Sequence, residues 1–184
     1  MTVTVEELPV IEGETAYQAW NLYREIFTGI NERAIQRHLM TAEEFSDLIE
    51  DKRVLKYLAY NTAGNMVGIS TITNDLAAVS LVAAPYFQRN YPDEYARRAI
   101  WYIGFVGVVE GAPARTFRSL IGAMYPQVVA SDGVFVQDFC QANVDRGLPV
   151  AMQAIVGALN PGTWTRQVDA QTFWVGGFDD PAPA

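Results

Sequence analysis

Residues 100–109 read IWYIGFVGVV, residues 110–113 read EGAP, and residues 114–130 read ARTFRSLIGAMYPQVVA. The first stretch is rich in β-branched and aromatic residues, which is typical of a buried strand, and the last has apolar residues at helical spacing. The glycine and proline between them indicate a turn. Such a turn directs the free amides of the first helical turn, with Arg115 and Arg118, towards the carboxyl end of the strand. The stretch therefore predicts a place where an anionic group is held.

The composition of the chain favours one globular domain with a buried core. Of the 184 residues, 50% are hydrophobic and 18% are charged, and we expect a domain over residues 1–178 followed by a frayed tail at 179–184. The 13 basic and 21 acidic residues give a formal net charge of −8. This charge argues against nucleic acid as a partner and favours small cationic or neutral molecules.

The chain has few residues that suit disulfide or metal chemistry. Cys140 is the one cysteine and His38 the one histidine, so the sequence excludes an internal disulfide and a Cys/His zinc site, and no metal is expected. We interpret Cys140 as a small apolar residue and His38 as a surface residue. No apolar run reaches the ~18 residues of a membrane span, and the first residues do not resemble a secretion signal. We therefore expect a cytoplasmic protein without a membrane partner.

Capping and hairpin patterns occur before the central strand. Thr15 with Gln18 has the spacing of a capping box at the start of a helix, and Thr41 with Glu44 has the same spacing ahead of a helix over residues 42–51. The runs VLKYLAY and MVGISTIT on either side of NTAGN predict an antiparallel hairpin. We also expect strands at 3–11 and 134–139, a helix at 149–159, a bent strand or hairpin at 164–178, and a long loop with a short helix near Asp93 at 74–98.

The order of these elements resembles the GNAT family of acyl-CoA-dependent N-acyltransferases. The resemblance rests on the hairpin YNTAGNMVGIST, the strand-to-helix junction at residues 109–118, and DFCQAN followed by a helix and the closing VDAQTFWVGGF. It implies an α/β fold of the α+β type, in which helices flank a mixed, mostly antiparallel central sheet. It also implies that the strands at 100–109 and 134–139 diverge and leave room for the pantetheine arm of an acyl-CoA.

In that family, amides in a loop with the pattern Arg/Gln-x-x-Gly-x-Gly/Ala hold the pyrophosphate of the acyl carrier. The corresponding loop here has one glycine, and its Pro113 donates no amide. The arginine of the loop follows the glycine instead of preceding it. The resemblance implies that acetyl-CoA or another acyl-CoA binds here, through Val109, Gly111, Ala112, Arg115, Thr116 and Arg118.

Transfer of an acyl group to an amine requires a base that removes a proton from the ammonium group. Glu110 ends the central strand and Asp138 holds the equivalent place on the next strand, so both are candidate catalytic bases. Each also suits an ordinary role, Glu110 in a turn and Asp138 as a cap. Family members often carry a tyrosine general acid on the next helix, but residues 143–159 contain none.

Aromatic residues of the segment 74–98 are candidates for the wall of a substrate pocket above the sheet. As ordinary core residues of a long loop they need no such role, and the sequence leaves both interpretations open. The candidates are Tyr86, Phe87, Tyr91 and Tyr95.

Two hypotheses for the function follow. The first is an acyl-CoA-dependent N-acyltransferase, most simply an acetyltransferase, that acts on a small amine. The second is a GNAT-like binding or assembly module that does not use acyl-CoA, such as a homodimer formed through an exposed apolar patch. Thermal stabilisation by acyl-CoA would support the first, and self-association would support the second.

Overall fold

A five-stranded sheet organises the computed structural model, which describes residues 2–35, 39–175 and 177. Its strands are Thr4–Leu8 (β1), Leu55–Tyr60 (β2), Met66–Thr73 (β3), Ile100–Val108 (β4) and Val134–Val136 (β5). The helices are Gly13–Phe27 (α1), Ala42–Glu50 (α2), Ala84–Asn90 (α3), Pro92–Ala96 (α4), Thr116–Ala130 (α5), Gln141–Asp145 (α6) and Leu148–Leu159 (α7). Short 3-10 turns lie at Thr28–Ile30 and Leu76–Ala78.

The sheet is mixed and mostly antiparallel, as the sequence predicts. The strands lie in the order β1-β2-β3-β4-β5, and each of the first three pairs antiparallel with the next. β4 and β5 are parallel because the chain returns through α5 between them. The predicted hairpin is confirmed as β2 and β3, and the Asn61 side chain accepts hydrogen bonds from the Ala63 and Asn65 amides across its turn.

Helices pack on both faces of the sheet. One face is covered by α5, which contacts α7 on its other side, and the buried residues of this core include Tyr57, Leu120 and Met152. The opposite face is covered by α1 and α2, with Tyr23 and Phe45 in its core. The sheet is thus the middle layer between two separate apolar cores.

The end of α1 lies directly on β4. A β-carbon at Gly107 would lie 2.8 Å from Ile26 Cγ2 and from two ring carbons of Phe27. Such a separation is well inside normal van der Waals contact, so only a glycine lets the helix approach the strand this closely. This contact sets how α1 covers the carboxyl half of β4.

One of the two predicted capping boxes is present. Thr41 Oγ1 accepts a hydrogen bond from the Glu44 amide at 3.2 Å, and Glu44 Oε2 accepts one from the Thr41 amide at 2.7 Å, which confirms the box at α2. The box at Thr15 is wrong, because α1 already begins at Gly13 after an N-cap at Glu12 whose side chain makes no cap. Gly13 adopts a left-handed φ of 60°, which allows the chain to enter the helix three residues earlier than the box at Thr15 predicts.

The predicted loop at residues 74–98 has more helix than expected. The short helix near Asp93 is confirmed as α4, but α3, which has a proline in its first turn, precedes it. The predicted helix at 149–159 is confirmed as α7, and the strand at 134–139 is shortened to β5. No helix in the described part of the chain is long and apolar enough to cross a membrane.

The prediction of a strand or hairpin at 164–178 is wrong for the residues that the structure describes. Residues 164–175 are all exposed and contain no strand. Alternation of apolar residues predicts a strand only if a sheet edge pairs with it, and no described strand does so here. Phe178 and the tail predicted at 179–184 lie outside the described residues, as does His38.

A buried lysine joins the first strand to the second helix. Lys56 of β2 is fully buried, and its Nζ donates hydrogen bonds to the carbonyl oxygens of Pro9 at 2.9 Å and Asp51 at 2.6 Å. Burial lowers the pKa of Lys56 to about 8, although the nearby Asp51 charge opposes this shift. The two carbonyls belong to the exits of β1 and α2, so one ammonium group holds both connections.

Removal of this ammonium should change how stability depends on pH. The folded state binds the Lys56 proton less tightly than the unfolded state, so stability rises with pH while the unfolded lysine still holds its proton. Relative to Lys56→Met, the unfolding free energy of the natural chain should therefore rise by about 2 kcal/mol between about pH 7.5 and pH 9.5. Urea titrations of both proteins at several pH values measure this difference. If the unfolding free energies of the two proteins change in parallel with pH, the prediction is contradicted.

Candidate active site

The pairing of β4 with β5 ends after three residues. Ile100, Trp101 and Tyr102 pair with β5, whereas the rest of β4 continues to Val108. On its other side β4 stays paired with β3 as far as Val108. Residues 103–108 therefore have no strand beside them on the β5 side within the described sheet. This agrees with the expectation that the strands at 100–109 and 134–139 diverge.

A β-bulge lies at the start of this open edge. Thr71 of β3 is opposite Phe105, and the next residue, Ile72, is opposite Ile103, so Gly104 is the additional residue of β4. Gly104 is exposed, and a β-carbon there would lie 2.6 Å from Thr71 Oγ1. Because Gly104 has no side chain, the backbone of β4 stays exposed at the point where β4 and β5 separate.

A tyrosine and a carboxylate lie at the same point. The hydroxyl of Tyr102 donates a hydrogen bond to Oδ1 of Asp138. Tyr102 is opposite Val136 in the last pair of the two strands, and Asp138 follows two residues later, where β5 has ended. Burial of the phenol, followed by the neighbouring charge of Asp138, raises the pKa of Tyr102 well above its usual range. The phenol is therefore a permanent donor to this carboxylate.

The turn between β4 and α5 lies at the other end of the open edge. Val109 donates its amide to Val67, Ala112 donates to Val109, and Thr116 donates to Pro113. These three predicted ligands therefore have no amide left for an anion. Amides that make no hydrogen bond within the described chain belong to Gly111, Ala114, Arg115, Phe117 and Arg118.

The charged residues of this turn are exposed. Arg118 lies in the first turn of α5 and Arg115 is the N-cap residue before it, and neither forms an ion pair within the described chain. Gly111 has a left-handed φ of 76°, which the turn requires. Glu110 precedes it, is exposed, and makes no hydrogen bond to any described residue. The turn thus presents two free guanidinium groups and several free amides to solvent.

The aromatic candidates contribute mainly to the core. Phe87 is buried in a cluster with Ile100 and Tyr102, and Tyr91 and Tyr95 pack against the same cluster. Tyr86 is exposed and meets the Phe87 ring edge-on at 5.2 Å. These contacts favour the interpretation that the aromatic candidates are core residues, which pack around Tyr102.

Tyr102 is the residue of the site that the sequence does not reveal. In the run IWYIGFVGVV it looks like any aromatic core residue, and its contact with Asp138 depends on the register of β4 with β5. Register between parallel strands joined by a helix leaves no short-range signal in the sequence. Cys140 is a free, half-buried thiol that precedes α6. No group of side chains in the described ranges is arranged to hold a metal ion.

No family model matches the sequence, and no curated protein sequence matches it. Solved structures do match. A ribosomal-protein-alanine N-acetyltransferase from Brucella melitensis biovar Abortus 2308 is 12% identical with a TM-score of 0.54, covering 95% of this chain and 100% of that one. An aminoglycoside acetyltransferase from an uncultured soil metagenomic sample, in complex with sisomicin, is 14% identical with a TM-score of 0.54, covering 94% and 97%.

A third solved structure contains part of the carrier. AAC(6')-Iy in complex with the bisubstrate analogue CoA-S-monomethyl-acetylneamine is 11% identical with a TM-score of 0.54, covering 95% of this chain and 100% of that one. The likeness of these three structures to this chain is one of overall fold. The chain has the GNAT fold, and the resemblance that the sequence suggests is confirmed at the level of the fold.

Proposed function

We propose that this protein is an N-acetyltransferase that moves the acetyl group of acetyl-CoA to a small cationic amine. The open edge of β4 carries this proposal, because it has a carboxylate at one end and the donor-rich turn at the other. The six steps from Tyr102 to Val108 span about 20 Å, a length that suits an extended carrier arm. The chain's acidity and single cysteine suit a cytoplasmic reaction.

The donor set of the turn suits the pyrophosphate of acetyl-CoA. Arg115 and Arg118 would hold its charge, and the amides of Gly111, Phe117 and Arg118 would donate to its oxygens. Pro113 precedes α5 and its carbonyl accepts from Thr116, so the proline lies within the turn without blocking these donors. When bound, acetyl-CoA supplies an acetyl group activated as a thioester.

Asp138 suits the amine better than Glu110 does. Its carboxylate is exposed, lies at the start of the open edge, and is held through Oδ1 by Tyr102. The free Oδ2 would bind the ammonium group and remove its proton before the nitrogen attacks. Glu110 lies in an exposed turn without a hydrogen-bond partner in the described chain, so we assign it no step.

The acceptors named for the structural neighbours support an amine as substrate. One neighbour is a ribosomal-protein-alanine N-acetyltransferase, and another is an aminoglycoside acetyltransferase in complex with sisomicin. We therefore infer a small primary amine here, and the first panel of acceptors is an aminoglycoside, an alkyl polyamine and a peptide with an amino-terminal alanine.

Binding of acetyl-CoA should raise the melting temperature. A concentration about 100-fold above Kd stabilises a protein by about 2.7 kcal/mol, which corresponds to roughly 5–10 °C for a domain of this size. Arg118→Glu and Arg115→Glu should each weaken binding by about tenfold, because each removes a charge-assisted contact and adds repulsion. Thermal shift and calorimetric titration measure both effects.

The matched control for this experiment is Lys52→Glu. Lys52 is exposed beyond the end of α2, so its reversal changes the net charge equally without touching the turn. Equal weakening by all three reversals would show a general charge effect and contradict the assigned binding site. If no acyl-CoA stabilises the protein, the enzymatic proposal fails.

Replacement of the proposed base should abolish most of the activity. Asp138→Asn keeps the size of the side chain but cannot take up the amine proton, so kcat/KM for amine acetylation should fall by about 10² to 10⁴-fold. Glu110→Gln should change kcat/KM by less than about threefold, since an exposed turn residue contributes little. The assay measures the rate at which free CoA thiol is released from acetyl-CoA during amine acetylation. The reverse order of these two variants would identify Glu110 as the base.

One observation favours the second hypothesis, a module that assembles through an apolar surface. Residues 164–175 are exposed throughout and include five large apolar side chains: Trp164, Val168, Phe173, Trp174 and Val175. Trp174 and Val175 are 92% and 99% exposed. Exposed apolar side chains grouped along one segment in this way are uncommon on a monomer, so they would support a homodimer.

Self-association through this segment should respond to polar substitution. Phe173→Ser with Trp174→Ser should shift the natural chain from dimer to monomer in sedimentation equilibrium, because these rings would be buried in the interface. At a protein concentration where the natural chain is also monomeric, the same pair of substitutions should leave the urea midpoint unchanged, since the rings contact little of the described core. A natural chain that stays monomeric at about 100 μM would contradict the assembly hypothesis.

A further inference from the structure

The contact between Tyr102 and Asp138 joins a rigid side chain to one that has no other support. Tyr102 is 5% exposed, and its ring packs with Leu76, Phe87 and Ile100. Asp138 lies after the end of β5, and its only hydrogen bond within the described chain comes from the Tyr102 hydroxyl. The position of this exposed carboxylate therefore depends on the buried ring.

The geometry of the two strands explains why the hydroxyl reaches this carboxylate. Tyr102 and Val136 form the last pair of β4 and β5, so their side chains lie on one face of the sheet. Asp138 follows Val136 by two residues, the spacing at which a strand returns to the same face, and its carboxylate lies beside the Tyr102 hydroxyl. The hydroxyl donates to Oδ1, which leaves Oδ2 as the oxygen without a protein donor.

We infer that Tyr102 is a positioning residue, which holds Asp138 so that Oδ2 faces the ammonium group of the acceptor at the parting of β4 and β5. This inference rests on the proposed function, because it assigns Asp138 the amine. It adds that Tyr102, a residue of the core, controls how the amine is recognised. Oδ2 of Asp138 is already oriented when the ammonium group binds to it. An unsupported aspartate would lose side-chain freedom on binding, whereas this one is ordered in advance.

A second tyrosine of the sheet provides a matched control. Tyr57 of β2 is 1% exposed, and its hydroxyl donates to Oε2 of the exposed Glu7 at 2.6 Å. The two tyrosines thus make the same kind of bond, from a buried ring to an exposed carboxylate. Tyr57 belongs to the core beneath α5, whereas Tyr102 belongs to the cluster beside α3. Removal of the Tyr57 hydroxyl reproduces the structural cost of the change without reaching Asp138.

The test compares Tyr102→Phe, Tyr57→Phe, Asp138→Asn and the double variant Tyr102→Phe/Asp138→Asn. Spermidine is the probe, and its binding is measured by calorimetry without acetyl-CoA, so that this readout does not depend on catalysis. Tyr102→Phe should weaken spermidine binding and lower kcat/KM for its acetylation, each by roughly ten- to a hundredfold, as expected for loss of a bond to a charged group. Tyr57→Phe should change neither by more than about twofold, although both Phe variants lower the urea midpoint to a similar degree.

The double variant decides whether Tyr102 acts through Asp138. If it does, Tyr102→Phe/Asp138→Asn should bind spermidine no more weakly than Asp138→Asn alone. Effects that multiply, or a Tyr102→Phe protein that behaves like Tyr57→Phe while Asp138→Asn is impaired, would overturn the inference and leave the proposed function intact. If the natural chain binds spermidine without acetylating it, and Tyr102→Phe and Asp138→Asn each lose this binding, the positioning role would be supported and the proposed reaction overturned. Absence of spermidine binding to the natural chain at about 10 mM would overturn the inference itself.

Discussion

The short parallel contact between β4 and β5 is the constraint on which the rest of the site depends. At its start the strands are held closely: Val134 donates its amide to the Ala99 carbonyl, and a β-carbon at Gly133 would lie 2.2 Å from that oxygen. The Trp101 indole adds a hydrogen bond to Ser131 at the end of α5. Because the strands are fixed at this end and β5 stops at Val136, the remainder of β4 is left open. The crossover helix therefore creates the edge and, through its first turn, also supplies the donors at the far end of that edge.

Buried polar groups fasten the connections that the hydrophobic cores leave free. Lys56 holds the exits of β1 and α2, Tyr57 holds Glu7 at the edge of β1, and Tyr102 holds Asp138 beyond β5. In each case a side chain anchored by packing reaches outward to a group on an irregular or exposed segment. Apolar contacts alone cannot set the position of a carboxylate or a carbonyl, because they are not directional. Hydrogen bonds from fixed donors are directional, and this is why the core can define a site at the surface.

The sequence predicts those elements whose signals are local. The strand and helix around the EGAP turn, the β2–β3 hairpin and the capping box at Thr41 all depend on residues within a few positions of one another. The start of α1 was predicted wrongly because the left-handed Gly13 has no pattern as clear as Thr15 with Gln18. The strand predicted at 164–178 failed over its described residues because pairing depends on a distant edge. Asp138 was identifiable as a carboxylate after a strand, but its bond to Tyr102 depends on register, which no local pattern encodes.

The turn after β4 shows how free hydrogen-bond donors can be kept when the sequence pattern of the family's loop is altered. The family pattern relies on glycines so that many amides converge, whereas here the amides of Ala112 and Thr116 are used within the turn and that of Val109 donates to Val67 of β3. Those internal bonds shape the turn, and Gly111 supplies the one left-handed residue that it needs. Of the amides that remain, those of Phe117 and Arg118 lie in the first turn of α5, where unpaired amides are a property of every helix, and two free guanidinium groups lie beside them. The proposed anion binding at this place would therefore depend less on a particular glycine motif than on where the helix begins, and the strand that leads into it determines that position.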